Sequence, residues 1–257
     1  MVGSDIPRNK DKEDDFVKGT QKAMETRCAP DRFAKLVAKL SENKKKVVVE
    51  LGFESLLHIK CGRLKRDLCS WLVQNFDPFT SCIFLHGKSI NLSPRDFEYI
   101  MGIKDGGVDI DVDLGIDDID KLRNEYCDDS GYIKLKTLES KLVNQREVND
   151  DFKRSFVLFA IATIIFPKSG LNLAPYYLVF LKDTSAINKK NWATWAFKGL
   201  ITDPKNLSNC GRTWWKSLVF KIMIGLRRYT QNERDGQKHS YGVISLVACA
   251  QHSVVRV

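Results

Sequence analysis

Asp150–Phe166, DDFKRSFVLFAIATIIF, is the stretch whose reading decides the fold. It opens with two acidic residues, Asp150 or Asp151 being suited to cap a helix, and runs into eleven apolar or small residues from Phe156 to Phe166. A bilayer crossing needs about twenty apolar residues. Extending the run to Leu171–Leu181 would draw in Lys168, Gly170, Asn172 and Pro175. The stretch therefore predicts a buried core helix rather than a membrane segment, with the remaining elements packed around it.

Upstream, Phe33, Leu36, Val37 and Leu40 recur at helical spacing behind Pro30-Asp31, which suits a first turn. Val47, Val48, Leu51, Phe53, Leu56 and Leu57 continue an apolar face through a second short helix. After Gly62, Leu64, Leu68, Trp71, Leu72 and Phe76 predict a third helix, RLKRDLCSWLVQNF, stopped by Asp77-Pro78. The period then changes. Cys82–Leu85, a turn at His86-Gly87-Lys88 and Ser89–Leu92 read as a β-hairpin. Ser93-Pro94-Arg95-Asp96 provides an N-cap with proline at the first helical position; Phe97, Ile100 and Met101 form that helix's buried stripe, and Gly102 can close it.

Residues 105–129 hold ten acidic residues against Lys121 and Arg123, and read as a surface loop leading into a short helix. Leu135–Val143 is amphipathic. Downstream of the core stretch, Trp192, Trp195 and Phe197, and then Trp214 to Met223, again read as helices. The expectation is a mainly α chain: a single helical domain with one short β-hairpin and a disordered N-terminal tail. Residues 1–27 form the charged tail, 28–229 the folded module, and 230–257 a polar, weakly structured tail.

The 257 residues suffice for one substantial core. A formal charge of +9 and a pI near 9.1 favour acidic partners, nucleic acid among them. Seven cysteines, odd in number and without a CxxC pair, point to reduced thiols in a nuclear or, alternatively, cytoplasmic protein. No secretory signal is legible in the polar stretch Met1–Arg27.

The segment LKRDLCSWLVQNFDPFTSCIFLHGKSINLSPRDFEYIMGIKDGG, preceded by RCAPDRF, resembles the N-terminal helical region of plant transposon-derived proteins. That group is often fused to a SUMO-protease-type (ubiquitin-like protease) cysteine peptidase domain. The segment is also similar to the plant mobile domain called aminotransferase-like. Leu68, Trp71, Ser93, Pro94, Asp96, Gly102, Ile103, Gly106 and Gly107 carry the likeness, which runs from about Cys28 to the Trp192–Trp195 helix. It implies a nuclear, non-enzymatic interaction module of mobile-element origin, associated with protein or nucleic acid. It brings no catalytic residues, cofactor or particular protein partner, and no pyridoxal-phosphate lysine context is identifiable. An alternative is a partial or inactive fragment of a SUMO-protease-type protein, since no such peptidase pattern follows Arg228.

A cysteine peptidase needs a thiolate, a histidine and a group orienting that histidine. Asn209-Cys210-Gly211 superficially fits a nucleophile turn, yet neither His58 nor His86 precedes a tryptophan as that pattern requires. Asp109, Asp111, Asp113, Asp117 and Asp120 have oxygen-ligand spacing, but Leu114 and Asp120 stand where a calcium loop needs glycine and glutamate. Cys61 and Cys69 lack a second pair to complete a zinc site. No metal site is expected. For direct DNA or RNA binding the candidates are two basic clusters: Lys44, Lys45, Lys46, Arg63, Lys65 and Arg66, and Arg212, Lys216, Arg227 and Arg228 beside Trp214 and Trp215.

Overall fold

The structure is a computed structural model that describes residues 30–59, 75–77, 79–85, 88–110, 119–166 and 172–201. Helix dominates, with a small antiparallel sheet, as the periodicities predict. The two terminal tails, residues 63–74 of the helix expected over 63–76, and Trp214–Met223 lie outside the described residues.

Helix α1, Pro30–Ala38, buries the predicted stripe: Phe33, Leu36 and Val37, with Leu40 just beyond, are all in the core. Helix α2, Glu42–Glu50, begins at Ser41, whose hydroxyl accepts from the Lys44 amide. Gly52, at φ +83°, then turns the chain into α3, Glu54–Leu57, and swings Phe53 fully inside. Two helices thus replace the single one expected after Leu40.

The next element corrects the sequence reading. Phe76 does not end a helix: Phe76–Asp77 is strand β1 and pairs antiparallel with β2, Cys82–Leu85, so that Phe76 faces Ile83 and Asp77 faces Cys82. Strand β3, Lys88–Asn91, completes a three-stranded sheet in the order β1-β2-β3. The hairpin is as expected; β1 was hidden because two residues are too few for alternation to register. Helix α4, Pro94–Met101, has the full capping box. Ser93 Oγ accepts from the Asp96 amide, Asp96 Oδ2 accepts from the Ser93 amide at 2.9 Å, and left-handed Gly102 closes the helix onto Glu98 O.

Beyond α5 (Asp120–Tyr126) and β4 (Ile133–Lys134), α6 (Leu135–Asn144) leads to the central helix α7 (Asp150–Ala160). The α7 cap is Asn149, not Asp150 or Asp151: the extended Asn149 backbone aims Oδ1 at the Phe152 amide, 3.1 Å away. Both aspartates are engaged elsewhere. After Ala160 the helix widens into a π turn, Ile161–Ile165, closed by Phe166 N–H donating to Ile161 O at 2.7 Å. The core stretch is therefore helical throughout but not a regular α-helix.

Strand β5, Asn172–Leu173, pairs with β4. Two 3-10 segments follow, Pro175–Leu181 and Thr184–Lys189, and then α8, Trp192–Ile201. Phe152, Phe156 and Phe159 on α7 are fully buried. Phe156 lies 6.1 Å from the Phe33 ring and 6.4 Å from that of Phe53, and Phe53 in turn meets Trp192 at 5.7 Å. One aromatic chain thus joins α1, the α2–α3 turn, α7 and α8.

Polar side chains stitch the helix ends together. Arg154 donates to Leu181 O and Lys182 O at 2.9 and 3.0 Å, Asn188 donates to Glu50 O at 3.2 Å, and Lys44 reaches the end of α6. Carbonyls left open at the ends of the first 3-10 segment, α2 and α6 are thus satisfied by distant elements. The loop after α4 docks by backbone on the segment between the second 3-10 turn and α8: Val108 N–H donates to Lys189 O and Asn191 N–H to Val108 O, each at 2.8 Å. Gly107 makes this approach, at φ +109°; a Cβ there would stand 2.3 Å from Lys189 O. Gly107→Ala is expected to cost about 2–3 kcal/mol from strain and lost docking. Gly106→Ala, at φ +93° but with nothing within 4 Å, should cost about 1 kcal/mol. Urea unfolding midpoints of the two variants provide the comparison.

At the α5–α6–α7 junction the Tyr126 hydroxyl donates to Asp151, and Lys141 Nζ lies 2.9 Å from Asp151 Oδ1 and 4.1 Å from the Tyr126 ring centre. Burial acts to raise the Asp151 pKa, but the Tyr126 and Lys141 hydrogen bonds outweigh it and hold the carboxyl below its ordinary value of 3.8. Asp150 is also held low, first by the Thr184 hydroxyl. Because the unfolded chain takes up these protons first, their stabilisation is complete above pH 3.8 and is lost as pH falls through the folded values. Urea midpoints should therefore drop on acidification below about pH 4, and Asp151→Asn should flatten that dependence.

Candidate interaction groove

The first basic cluster divides by helix geometry. On α2 successive residues step by about 100°, so Lys44, Lys45 and Lys46 cannot share one face. Lys44 joins Val48 on the buried side and is only 5% exposed. Its ammonium donates to Leu142 O at 2.7 Å and Val143 O at 3.3 Å, and lies 5.7 Å from the Phe152 ring centre. It serves the negative end of the α6 dipole, and burial pushes its pKa down. Lys44 must therefore be removed from the predicted phosphate-binding set: a lysine enclosed by carbonyls has no phosphate to meet.

Lys45 and Lys46 do reach the surface. Lys45 pairs with Glu42 at 2.8 Å, and that hydrogen bond, then the lysine's charge, hold the Glu42 pKa down. Arg63, Lys65 and Arg66 lie outside the described residues, as do Arg212, Lys216, Arg227 and Arg228 with Trp214 and Trp215. So do Cys61, Cys69, Cys210, Asp111, Asp113 and Asp117. Among the described residues no three His, Cys, Asp or Glu side chains group so as to hold a metal ion, and no helix is long and apolar enough to cross a membrane.

Lys45 and Lys46 form part of a feature the sequence reading missed. An open groove of about 530 Å³ runs between α1, α2 and the end of α3. Ala34, Val37 and Ala38 line the α1 side; Glu42, Lys45, Lys46 and Val49 the α2 side; Leu57, His58 and Ile59 the far end. Two of its features were legible in principle. Ala34 and Ala38 are one turn apart, a small-residue strip on one face. Val47-Val48-Val49 spans too wide an arc of a helix for all three to be buried, and Val49 is the one left 43% exposed. A second apolar exposure lies at the sheet, with Phe84 on β2 49% exposed and Phe79 in the β1–β2 turn 77% exposed.

The fold and groove define a helical domain with an open, partly apolar cleft framed by lysines. Residues 26–223 match the family described as Domain of unknown function (DUF8566), and the chain belongs to that family. No curated protein and no solved structure matches the chain.

Proposed function

We propose that the chain is a non-enzymatic protein-interaction module of plant transposon origin that works in the nucleus. The observation carrying this reading is the α1–α2–α3 groove, which exposes Val49 beside two small alanines and leaves room for side chains of a partner. The setting rests on the resemblance quoted above. Affinity purification of the full chain, followed by reconstitution from pure components, tests it. The expected result is a complex of defined stoichiometry by sedimentation; no such complex with any recovered protein overturns the reading. Fluorescent fusions excluded from nuclei would overturn the setting.

A second reading, direct DNA or RNA binding, is favoured by the charge of +9 and the exposed Lys46. Its sites would be Lys45 and Lys46 with Arg63, Lys65, Arg66, Arg212, Lys216, Arg227 and Arg228. Electrophoretic mobility shifts across a salt series should then weaken steeply with salt. A slope near zero, or no shift at low salt, rules this reading out.

A further inference from the structure

We infer that Asp105 is a site of covalent modification, and that its conversion to isoaspartate through Gly106 unfastens the loop docked beside α8. The sequence holds two Asp-Gly pairs, Asp105-Gly106 and Asp235-Gly236. The first lies among the described residues. Glycine after an aspartate leaves the amide nitrogen with no neighbouring Cβ to shield it. Gly106 is exposed, at φ +93°, and nothing stands within 4 Å of where its Cβ would be. Its N–H donates to Asp105 Oδ1 at 3.1 Å, so the amide already faces the carboxyl group that its nitrogen must reach. Loop aspartates elsewhere are aimed differently: Asp77, Asp128 and Asp183 accept from the amide two residues on. The Thr194 hydroxyl donates to the same Asp105 oxygen at 2.7 Å, which holds the carboxyl in place and stabilises charge gathering on it.

The reaction needs only water. The Gly106 nitrogen bonds to Cγ of the protonated Asp105 carboxyl, and the amide proton leaves with the carboxyl hydroxyl as water, closing a succinimide ring. Water then adds to the Asp105 main-chain carbonyl carbon and breaks its bond to the Gly106 nitrogen. The backbone now runs through Cβ and Cγ, one carbon longer, and the carboxylate hangs directly from Cα. The contacts just downstream leave no slack for that carbon. A Cβ on Gly107 would stand 2.3 Å from Lys189 O, while Val108 N–H donates to Lys189 O and Val108 O accepts from Asn191 N–H, each at 2.8 Å. The Asp105 bond to Thr194 is lost as well. What remains is the exposed Lys198–Asp109 pair at 3.8 Å, which is too weak to hold the loop alone.

Peptide mapping by electron-transfer mass spectrometry, which distinguishes isoaspartate from aspartate, follows the full chain during incubation at neutral pH, both folded and unfolded in urea. Isoaspartate at residue 105 should accumulate in the folded chain at least as fast as in the unfolded one. Thr194→Val should slow it about threefold in the folded chain and leave it unchanged in urea, while Thr194→Ser, which keeps the hydroxyl, should match wild type. Asp235-Gly236 is the internal control and should convert alike in all three chains. The converted protein, isolated chromatographically, should show faster amide exchange at Val108 and Asn191 and a lower urea midpoint than the unconverted chain. Slower conversion of residue 105 in the folded chain, or a Thr194→Val rate equal to or above wild type, overturns the site. Conversion that leaves exchange at Val108 and Asn191 unchanged overturns the unfastening.

Discussion

Lys44→Ala is expected to lower the unfolding free energy by about 2–4 kcal/mol, against changes within about 0.5 kcal/mol for Lys45→Ala and Lys46→Ala. Three consecutive lysines would thus differ severalfold in importance. The truncation removes the donor to Leu142 O and Val143 O and leaves those carbonyls at a closed helix end, together with a void where the stem packed near Phe152. Lys44→Met separates the two causes, since it keeps much of the stem and loses only the ammonium; it should recover part of the deficit. Denaturant titrations of the four variants decide the matter. A Lys44→Ala protein as stable as Lys46→Ala would show that Lys44 is not the α6 cap. The same comparison guards the nucleic-acid reading, because a binding defect in Lys44→Ala would report unfolding, whereas one in Lys45→Glu/Lys46→Glu would report contact.

Phe156→Ala should be the more damaging change, by about 3–5 kcal/mol. The ring is fully buried and faces Phe33 on α1, Phe53 at the α2–α3 turn and Phe152 one turn earlier on α7. No single neighbour can collapse into the space without leaving another of these contacts. For a domain of this size the loss corresponds to a drop in melting temperature of about 10 °C or more. Phe156→Leu, which retains much of the volume, should cost less than half as much. Because Phe53 hands the contact on to Trp192, the Phe156→Ala defect should extend to α8 and appear as faster amide exchange there as well as in α7. A protein that melts within 2–3 °C of wild type would place the centre of the core elsewhere.

Much of the architecture was written locally. The Phe33–Leu40 stripe, the Ser93–Asp96 capping box and the Gly102 stop each lie within a few residues of the backbone they organise. Local chemistry therefore reads out directly as local structure. The central helix was legible for the same reason, its apolar run having nowhere to go but inside. The groove was less legible. Its alanines and valines look in sequence like any helix interior, and only the arrangement of three helices leaves them uncovered.

By itself, then, the sequence determined that this is a mainly helical chain with a hairpin between helices and a core built around the Phe156–Phe166 run. It does so because amphipathic period, caps and turn residues act over one or two turns. The tertiary structure alone decided which lysine of three is buried, that Phe76 joins a sheet, and that Asn149 rather than an aspartate caps the core helix. Each depends on a partner fixed by packing. The carbonyl that claims Lys44 lies 98 residues away, and Thr184 engages Asp150 across 34. No window on the sequence spans such distances, and the free energy that settles them exists only once the helices have met.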